Sequence, residues 1–350
     1  MLVIGIDTSC DDTGVGIVRD GDQVLSNVIA SQHDYHERYG GIVPSVASRQ
    51  HAKIFNVVLA EAVKEAGIDY SDIDAVAVSS DQGLALSLTV GVAGAKALAL
   101  ALDRPLIGIH HVEGHIYAAT MAAEGELGYP FLCLTVAGGH TMLVVAHAYG
   151  EYELLGHTRD DAAGEAYDKV ARRLGLGYPG GPVIERTAAE GDPKAFAFPR
   201  PMLGGDNLEF SFSGLKTAVN VAIDGIEKSG RPVPVADIAA SFQQAVVDVL
   251  ATKTLMAARQ RGIDAVAVTG GVAANKQLRE TLRAAEAAGG PRVYLPPMSL
   301  CVDNGAMVAG AGYERLKRGE RSTLRLDARA CAPLGSREIR YRAPGKYRHS

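Results

Sequence analysis

Apolar runs that stop abruptly at paired glycines limit the folds open to this chain. Phe131-Leu132-Cys133-Leu134-Thr135 leads into Val136-Ala137-Gly138-Gly139-His140-Thr141, and Asp264-Ala265-Val266-Ala267-Val268 leads into Thr269-Gly270-Gly271-Val272-Ala273-Ala274-Asn275. A third glycine turn, Tyr178-Pro179-Gly180-Gly181-Pro182, follows a helical stretch that includes Asp161-Ala162-Ala163-Gly164-Glu165-Ala166-Tyr167-Asp168-Lys169. Strand-like runs alternating with helical ones define an α/β protein. Paired glycines also let the backbone approach a ligand and aim N–H groups at phosphate oxygens, and a helix opening just beyond adds its positive end. One such turn is an ordinary connection. Three in one chain, with Asp168 and Asn275 placed to hydrogen-bond a sugar or a base, point to a nucleotide.

The rest of the chain repeats one theme. Residues 2–29 read as strands around the polar turn Asp7-Thr8-Ser9-Cys10-Asp11-Asp12-Thr13, whose hydroxyls and carboxylates make it a second place to meet phosphate or metal. Helices are expected over Pro44–Ala66 and Leu86–Leu102, and strands over Ala75–Ser79 and Pro105–Ile109. The turn-rich stretch Ala123–Pro130 marks a passage, after which strands resume near 131–158, followed by helices and the strand ending at Val268. The polar, glycine-containing stretch Pro199–Leu215 reads as an insertion or a loop at a cleft edge.

In His110-His111-Val112-Glu113-Gly114-His115, a helix places His111 and His115 on one face, where they can grip one cation together. His110 points elsewhere. Asp303, in Cys301-Val302-Asp303-Asn304-Gly305, offers a third ligand. Two histidines and one carboxylate form a borderline-soft set that suits iron or zinc better than magnesium and leaves positions open for a substrate oxygen or water.

The 350 residues allow two lobes with separate cores, and the 47% hydrophobic content fits a compact protein. No apolar run is expected to reach the roughly 18 to 20 residues of a membrane helix. Met1 leads into a strand rather than a basic region and an apolar core, so a cytoplasmic location is expected. Cys10, Cys133, Cys301 and Cys331 have no paired spacing, which argues against a disulfide framework or a thiolate zinc site. The formal charge of −5 does not advertise nucleic-acid binding, but from Arg315 onward Lys317, Arg318, Arg321, Arg325, Arg329, Arg337, Arg340, Arg342, Lys346 and Arg348 make a basic tail. Such a tail could neutralise RNA phosphates or simply be solvated.

Gly5-Ile6-Asp7-Thr8-Ser9-Cys10-Asp11, Gly40-Gly41-Ile42-Val43-Pro44 with Ala47-Ser48-Arg49-Gln50-His51, the His111/His115 segment, Gly138-Gly139-His140-Thr141, Asp160–Lys169, Ser211–Thr217, Gly270–Asn275 and Asp303–Met307 together resemble the TsaD (Gcp/YgjD) family of tRNA N6-adenosine threonylcarbamoyltransferases. The likeness runs from about residue 2 to about residue 318. It implies an actin-like ATPase (ASKHA) fold of two duplicated lobes around a nucleotide cleft, with lobes over 1–127 and 128–318 and the basic tail over 319–350 packing back on the first lobe. It implies transfer of threonylcarbamoyl from threonylcarbamoyl-adenylate to N6 of the tRNA adenosine 3′ of the anticodon.

By motif, His111, His115 and Asp303 correspond to the ligands of one divalent metal ion. Thr135, Val136, Ala137, Gly138, Gly139, Asp168, Gly181 and Asn275 correspond to positions that hold the adenine nucleotide or acyl-adenylate, and Asp11 to a carboxylate implicated in the transfer. The implied partners are tRNA, a TsaB-like paralogous subunit and a TsaE-like ATPase, with no membrane. Four positions depart from the pattern. Asp12 and Ser45 stand where glutamate is usual, Ala137 where serine is usual, and Gln82 where a proline would stiffen the turn Asp81-Gln82-Gly83-Leu84. These keep two alternatives open: a related enzyme carbamoylating a small molecule, and a non-catalytic nucleotide-binding subunit.

Overall fold

The computed structural model describes residues 1–335 and divides them into two compact units. Unit 1 gathers Met1–Ala30, Ser48–Gly114 and the described residues from Asn304 onward. Its sheet is built from β1 (Leu2–Asp7), β2 (Asp12–Arg19), β3 (Gln23–Ser31), β4 (Ala75–Asp81) and β5 (Leu106–His110), in the order β3-β2-β1-β4-β5. β1 runs antiparallel to β2 and parallel to β4, and β4 runs parallel to β5. Between β3 and the long helix α2 (Pro44–Ala66) lies a short helix, α1 (His33–Glu37), whose segment Ser31–Ala47 belongs to unit 2.

β1 is buried on both faces, so it reads as a continuous apolar run rather than an alternating one. Ile4 and Ile6 join Phe55 and Leu59 of α2 and Val92 of α3 (Ala85–Leu102) in one core cluster. On the opposite face, Gly5 lies under α10 (Gly305–Lys317). A Cβ there would sit 2.2 Å from Ala309 N and Gly305 O, so the helix rests directly on the strand backbone. Such contact needs small residues on both sides, which Gly5, Gly305, Ala306 and Ala309 supply.

α3 departs from the sequence expectation. It reaches 18 residues at a mean hydropathy of 1.8, long and apolar enough by length and composition to cross a membrane. Ser87, Leu88, Gly91, Val92, Ala95 and Ala99 are nevertheless buried, and the helix packs against β4 and β1 as a core helix does. Leu86 and Leu100, on its other side, are exposed.

Unit 2 holds Ser31–Ala47 and His115–Asp303. Its strands are β6 (Phe131–Val136), β7 (Thr141–Ala148), β8 (Glu151–His157), β9 (Ala265–Thr269) and β10 (Arg292–Tyr294), in the order β10-β9-β6-β7-β8. β6 is antiparallel to β7 and parallel to β9, and β10 is parallel to β9. Each sheet therefore has a three-strand meander whose first strand pairs in parallel with a later strand, so one topology occurs twice. The unit 2 core is formed with α5 (Ala163–Arg173), α6 (Gly180–Ala188), α7 (Ser213–Lys228) and the 27-residue α8 (Val235–Arg261), where Tyr167 meets Phe242 edge-on at 5.2 Å.

The stretch read as an insertion, Pro199–Leu215, is partly core. Phe210 and Phe212 are fully buried, α7 already begins at Ser213, and Lys253 Nζ donates to Asn207 O at 2.5 Å. The polar residues around two aromatics hid that role.

The first part of the basic tail is engaged within unit 1. Arg315 pairs with Glu113 and Glu320, Arg321 donates to Leu316 O and Glu320 O, and Arg329 pairs with Asp81. Arg337, Arg340, Arg342, Lys346 and Arg348 lie outside the described residues.

Gln82 reaches a rigid turn without proline. It adopts φ +67°, its N–H donates to Arg329 O at 2.8 Å, and Gly83 N donates to Ala330 O at 3.1 Å. The expected loss of stiffness is thus made good by the strand-like segment at 329–330, which also bridges β4 through Asp81 and Arg329.

Candidate metal centre and nucleotide turns

α4 (His111–Ala122) begins where β5 ends, so His111 opens the helix and His115 follows one turn later. The potential ligand atoms of His111, His115 and Asp303 lie within 4.8 Å of one another. His115 Nε2 is 3.1 Å from Asp303 Oδ1. His111 Nδ1 donates to Asp7 Oδ2 at 3.0 Å, which fixes the ring and turns Nε2 outward as a ligand atom. Both histidines and Asp7 are buried.

A cation with nitrogen and oxygen ligands at roughly 2.0–2.2 Å draws its donors closer together than 4.8 Å, a contraction that small side-chain rotations supply. The residues therefore fit a divalent metal. Sequence reasoning placed Asp7 in a polar turn able to meet phosphate or metal but did not pair it with His111, because the meeting of the β1 end with the start of α4 is a tertiary fact. His110 lies outside the set: its Nε2 donates to Ala332 O at 3.0 Å and its Nδ1 accepts from Val112 N at 3.2 Å. Glu113, buried between the two histidines in sequence, pairs instead with Arg315.

Asp11 sits in the turn joining β1 to β2, and a second histidine holds that turn from both sides. His51 of α2 is fully buried, with Nε2 donating to Cys10 O at 3.0 Å and Nδ1 accepting from Thr13 Oγ1 at 2.7 Å. Ser9 is fastened too, its N–H to Asp7 Oδ1 at 2.7 Å and its carbonyl to Leu84 N at 2.7 Å. The 81–84 turn thereby supports the strand end that leads to Asp11.

The sequence-selected nucleotide residues lie in unit 2. Ala137-Gly138-Gly139-His140 is the tight connection between β6 and β7, closed by Ala137 N donating to His140 O at 2.8 Å, and both glycines are exposed. Thr135 and Val136 precede it as buried strand residues, and Thr269 Oγ1 donates to Thr135 Oγ1 at 3.3 Å. Asp168 Oδ1 accepts from Gly180 N at 2.7 Å, tying α5 to the start of α6, while the position of a Cβ on Gly181 is open space. Asn275 caps α9 (Lys276–Ala287), accepting from Leu278 N at 2.9 Å, and donates to Gln243 Oε1 at 2.8 Å. Two of the four hydrogen-bonding positions of its amide are thus used within the protein.

Burial pushes the Cys133 thiol up to about 11, and burial raises Cys301 as well.

The duplicated strand order is that of the actin-like ATPase fold. HypF of T. kodakarensis superposes over 91% of this chain and 48% of its own at a TM-score of 0.61, with 18% identity, a likeness of fold. A match to the family described as "TsaD: tRNA N6-adenosine threonylcarbamoyltransferase" covers residues 23–310. The tRNA N6-adenosine threonylcarbamoyltransferase of Syntrophotalea carbinolica is 50% identical over 334 residues, 95% of this chain and 97% of that protein. That of Thermomicrobium roseum is 49% identical, covering 97% and 98%. The chain belongs to the TsaD family.

Proposed function

We propose that this enzyme transfers the threonylcarbamoyl group of threonylcarbamoyl-adenylate to N6 of the tRNA adenosine 3′ of the anticodon. The observation that carries the reading is the near-full-length identity of about half to transferases of that name, in a chain that also gathers His111, His115 and Asp303. Neither alternative reading, a small-molecule acceptor or a non-catalytic subunit, finds support in those relatives.

The glycine turns at 138–139 and 180–181 and the amide of Asn275 hold the adenylate, and Asp168 keeps the 180–181 turn in place. Asp11, on a turn pinned by His51 and Ser9, accepts the proton as the N6 nitrogen bonds to the carbonyl carbon and AMP leaves. An exocyclic amine is a poor nucleophile, so orientation supplies much of the acceleration. His111, His115 and Asp303 would hold iron or zinc, which when bound supplies Lewis-acid stabilisation of developing negative charge. A TsaB-like paralogous subunit and a TsaE-like ATPase complete the reading, and the exposed Leu86 and Leu100 of α3 offer an apolar face to such a subunit. A tRNA acceptor goes with a cytoplasmic location.

The test is reconstitution. The full chain with partner subunits, threonine, bicarbonate, ATP and unmodified tRNA is expected to yield modified adenosine on nucleoside analysis. Asp11→Ala abolishes the product while calorimetry still detects nucleotide, and Asn275→Ala weakens nucleotide binding. Absence of modified adenosine, together with carbamoyl transfer to a small amine or hydroxyl compound, overturns the reading.

A further inference from the structure

Segment Ser31–Ala47 leaves the strands that precede it and packs within unit 2. His36, fully buried, anchors it: Nδ1 accepts from Val43 N and Nε2 donates to Gln32 Oε1, each at 3.3 Å, while Gln32 Nε2 donates to Ala47 O at 3.2 Å. Arg172 of α5 donates to Gly40 O at 3.2 Å, where the chain turns with φ +64°. The His33 ring stacks on Tyr178 at 5.3 Å, and Tyr178 opens the turn containing Gly180 and Gly181. The segment is thus a fixed scaffold beside the turn to which the adenylate is assigned.

This scaffold presents aromatic surface. Tyr35 and Tyr39, four residues apart, are 47% and 48% exposed. Tyr39 N donates to His36 O at 2.9 Å, so the turn that ends α1 carries the chain from Tyr35 to Tyr39 and keeps the two residues about one turn apart. The Arg38 guanidinium lies 4.8 Å from the Tyr39 ring centroid. Asp34 and Glu37 on the same segment offset the arginine, so the patch lacks the positive excess of a phosphate-tracking groove. Its chemistry is that of ring faces and one guanidinium plane, on which unpaired bases stack without regard to sequence.

We infer that Tyr35, Tyr39 and Arg38 form a stacking platform for unpaired bases of the tRNA anticodon loop, presenting the acceptor beside the adenylate turn. The inference rests on the tRNA reading above. It accounts for two tyrosines left half in water on a segment whose backbone is so fully anchored.

The test uses the full chain and an anticodon stem-loop RNA carrying 2-aminopurine beside the target adenosine. Tyr35→Ala and Tyr39→Ala are each expected to weaken binding about tenfold and to relieve fluorophore quenching, while the phenylalanine variants behave as wild type. Because rings rather than charges are removed, the slope of log affinity against log salt stays unchanged in the tyrosine variants and becomes shallower in Arg38→Ala. Both rings are half exposed, so circular dichroism should show unchanged folding. Alanine variants that bind like wild type, in a protein that still modifies tRNA, overturn the platform and leave the transferase reading intact. A wild-type protein that neither binds nor modifies tRNA removes both.

Discussion

Gln82→Pro is expected to damage the protein, although proline is what the family resemblance suggests for that position. The backbone there holds φ +67°, whereas a proline ring enforces about −65°. The N–H that proline lacks is the one donated to Arg329 O at 2.8 Å. Losing that bond costs about 1 kcal/mol, leaving the carbonyl of Arg329 unpaired adds about 1–2 kcal/mol, and the forced dihedral adds a further ~1–3 kcal/mol.

A total of about 3–6 kcal/mol should open the turn locally rather than unfold both units, since Leu84 N to Ser9 O is its main link to β1. Hydrogen exchange read by mass spectrometry on peptides covering 79–90 and 326–334 should therefore quicken by a hundredfold or more, at about tenfold per 1.4 kcal/mol. Gln82→Gly is the control. It relieves the positive φ, keeps the N–H and should fall within about 1 kcal/mol of wild type. Exchange in Gln82→Pro matching that of wild type, with Gln82→Gly disturbed, would refute the reasoning.

Other perturbations follow from the same geometry. Purified wild-type protein should carry one iron or zinc per chain, and metal content should fall to background in His111→Ala and His115→Ala. Asp7→Asn should retain the ion with about 10–100-fold weaker affinity, because it only orients His111; an unchanged affinity would mean that Asp7 has no such role. Asp160 accepts from Ser211 Oγ, Phe212 N and Ser213 N, and these bonds outweigh desolvation and hold its carboxyl below the usual carboxylate range. Its contribution is thus present above the ordinary aspartate pKa and lost as pH falls through the lowered one. Asp160→Asn should destabilise by about 1 kcal/mol at neutral pH, after allowance for solvent screening, and urea titrations of variant and wild type should converge in acid. Iodoacetamide at neutral pH should label exposed Cys331 first, and Cys133 and Cys301 only after unfolding; rapid labelling of Cys133 in the native protein would contradict its burial.

What could be read from the sequence was what a local period encodes. The four-residue spacing of His111 and His115 fixes one helix face, and glycine pairs fix turns, so both appear without any tertiary knowledge. Asp7, His51 and Arg329 carried no such signal, because each acts on a residue that only folding brings near. Asp7 reaches α4 across 104 positions and Arg329 reaches Asp81 across 248. The Pro199–Leu215 stretch failed for the opposite reason: its local polarity was real, but two buried phenylalanines outweigh it.

A rule of topology would have narrowed the gap. In open sheets with parallel strands, ligand groups gather beyond the carboxyl ends of those strands. Asp7 ends β1, Asp81 ends β4 and His111 follows β5, while Ala137 follows β6 and Gly270 follows β9. Candidate chemistry therefore falls where each parallel strand stops, in both copies of the repeated topology. Asp81 stands at such an end yet is bound to Arg329, which opens its role to a direct test. If its place there is only structural, Asp81→Asn should loosen the 81–84 turn in hydrogen exchange and leave metal content unchanged. Loss of the metal would instead make Asp81 part of the centre.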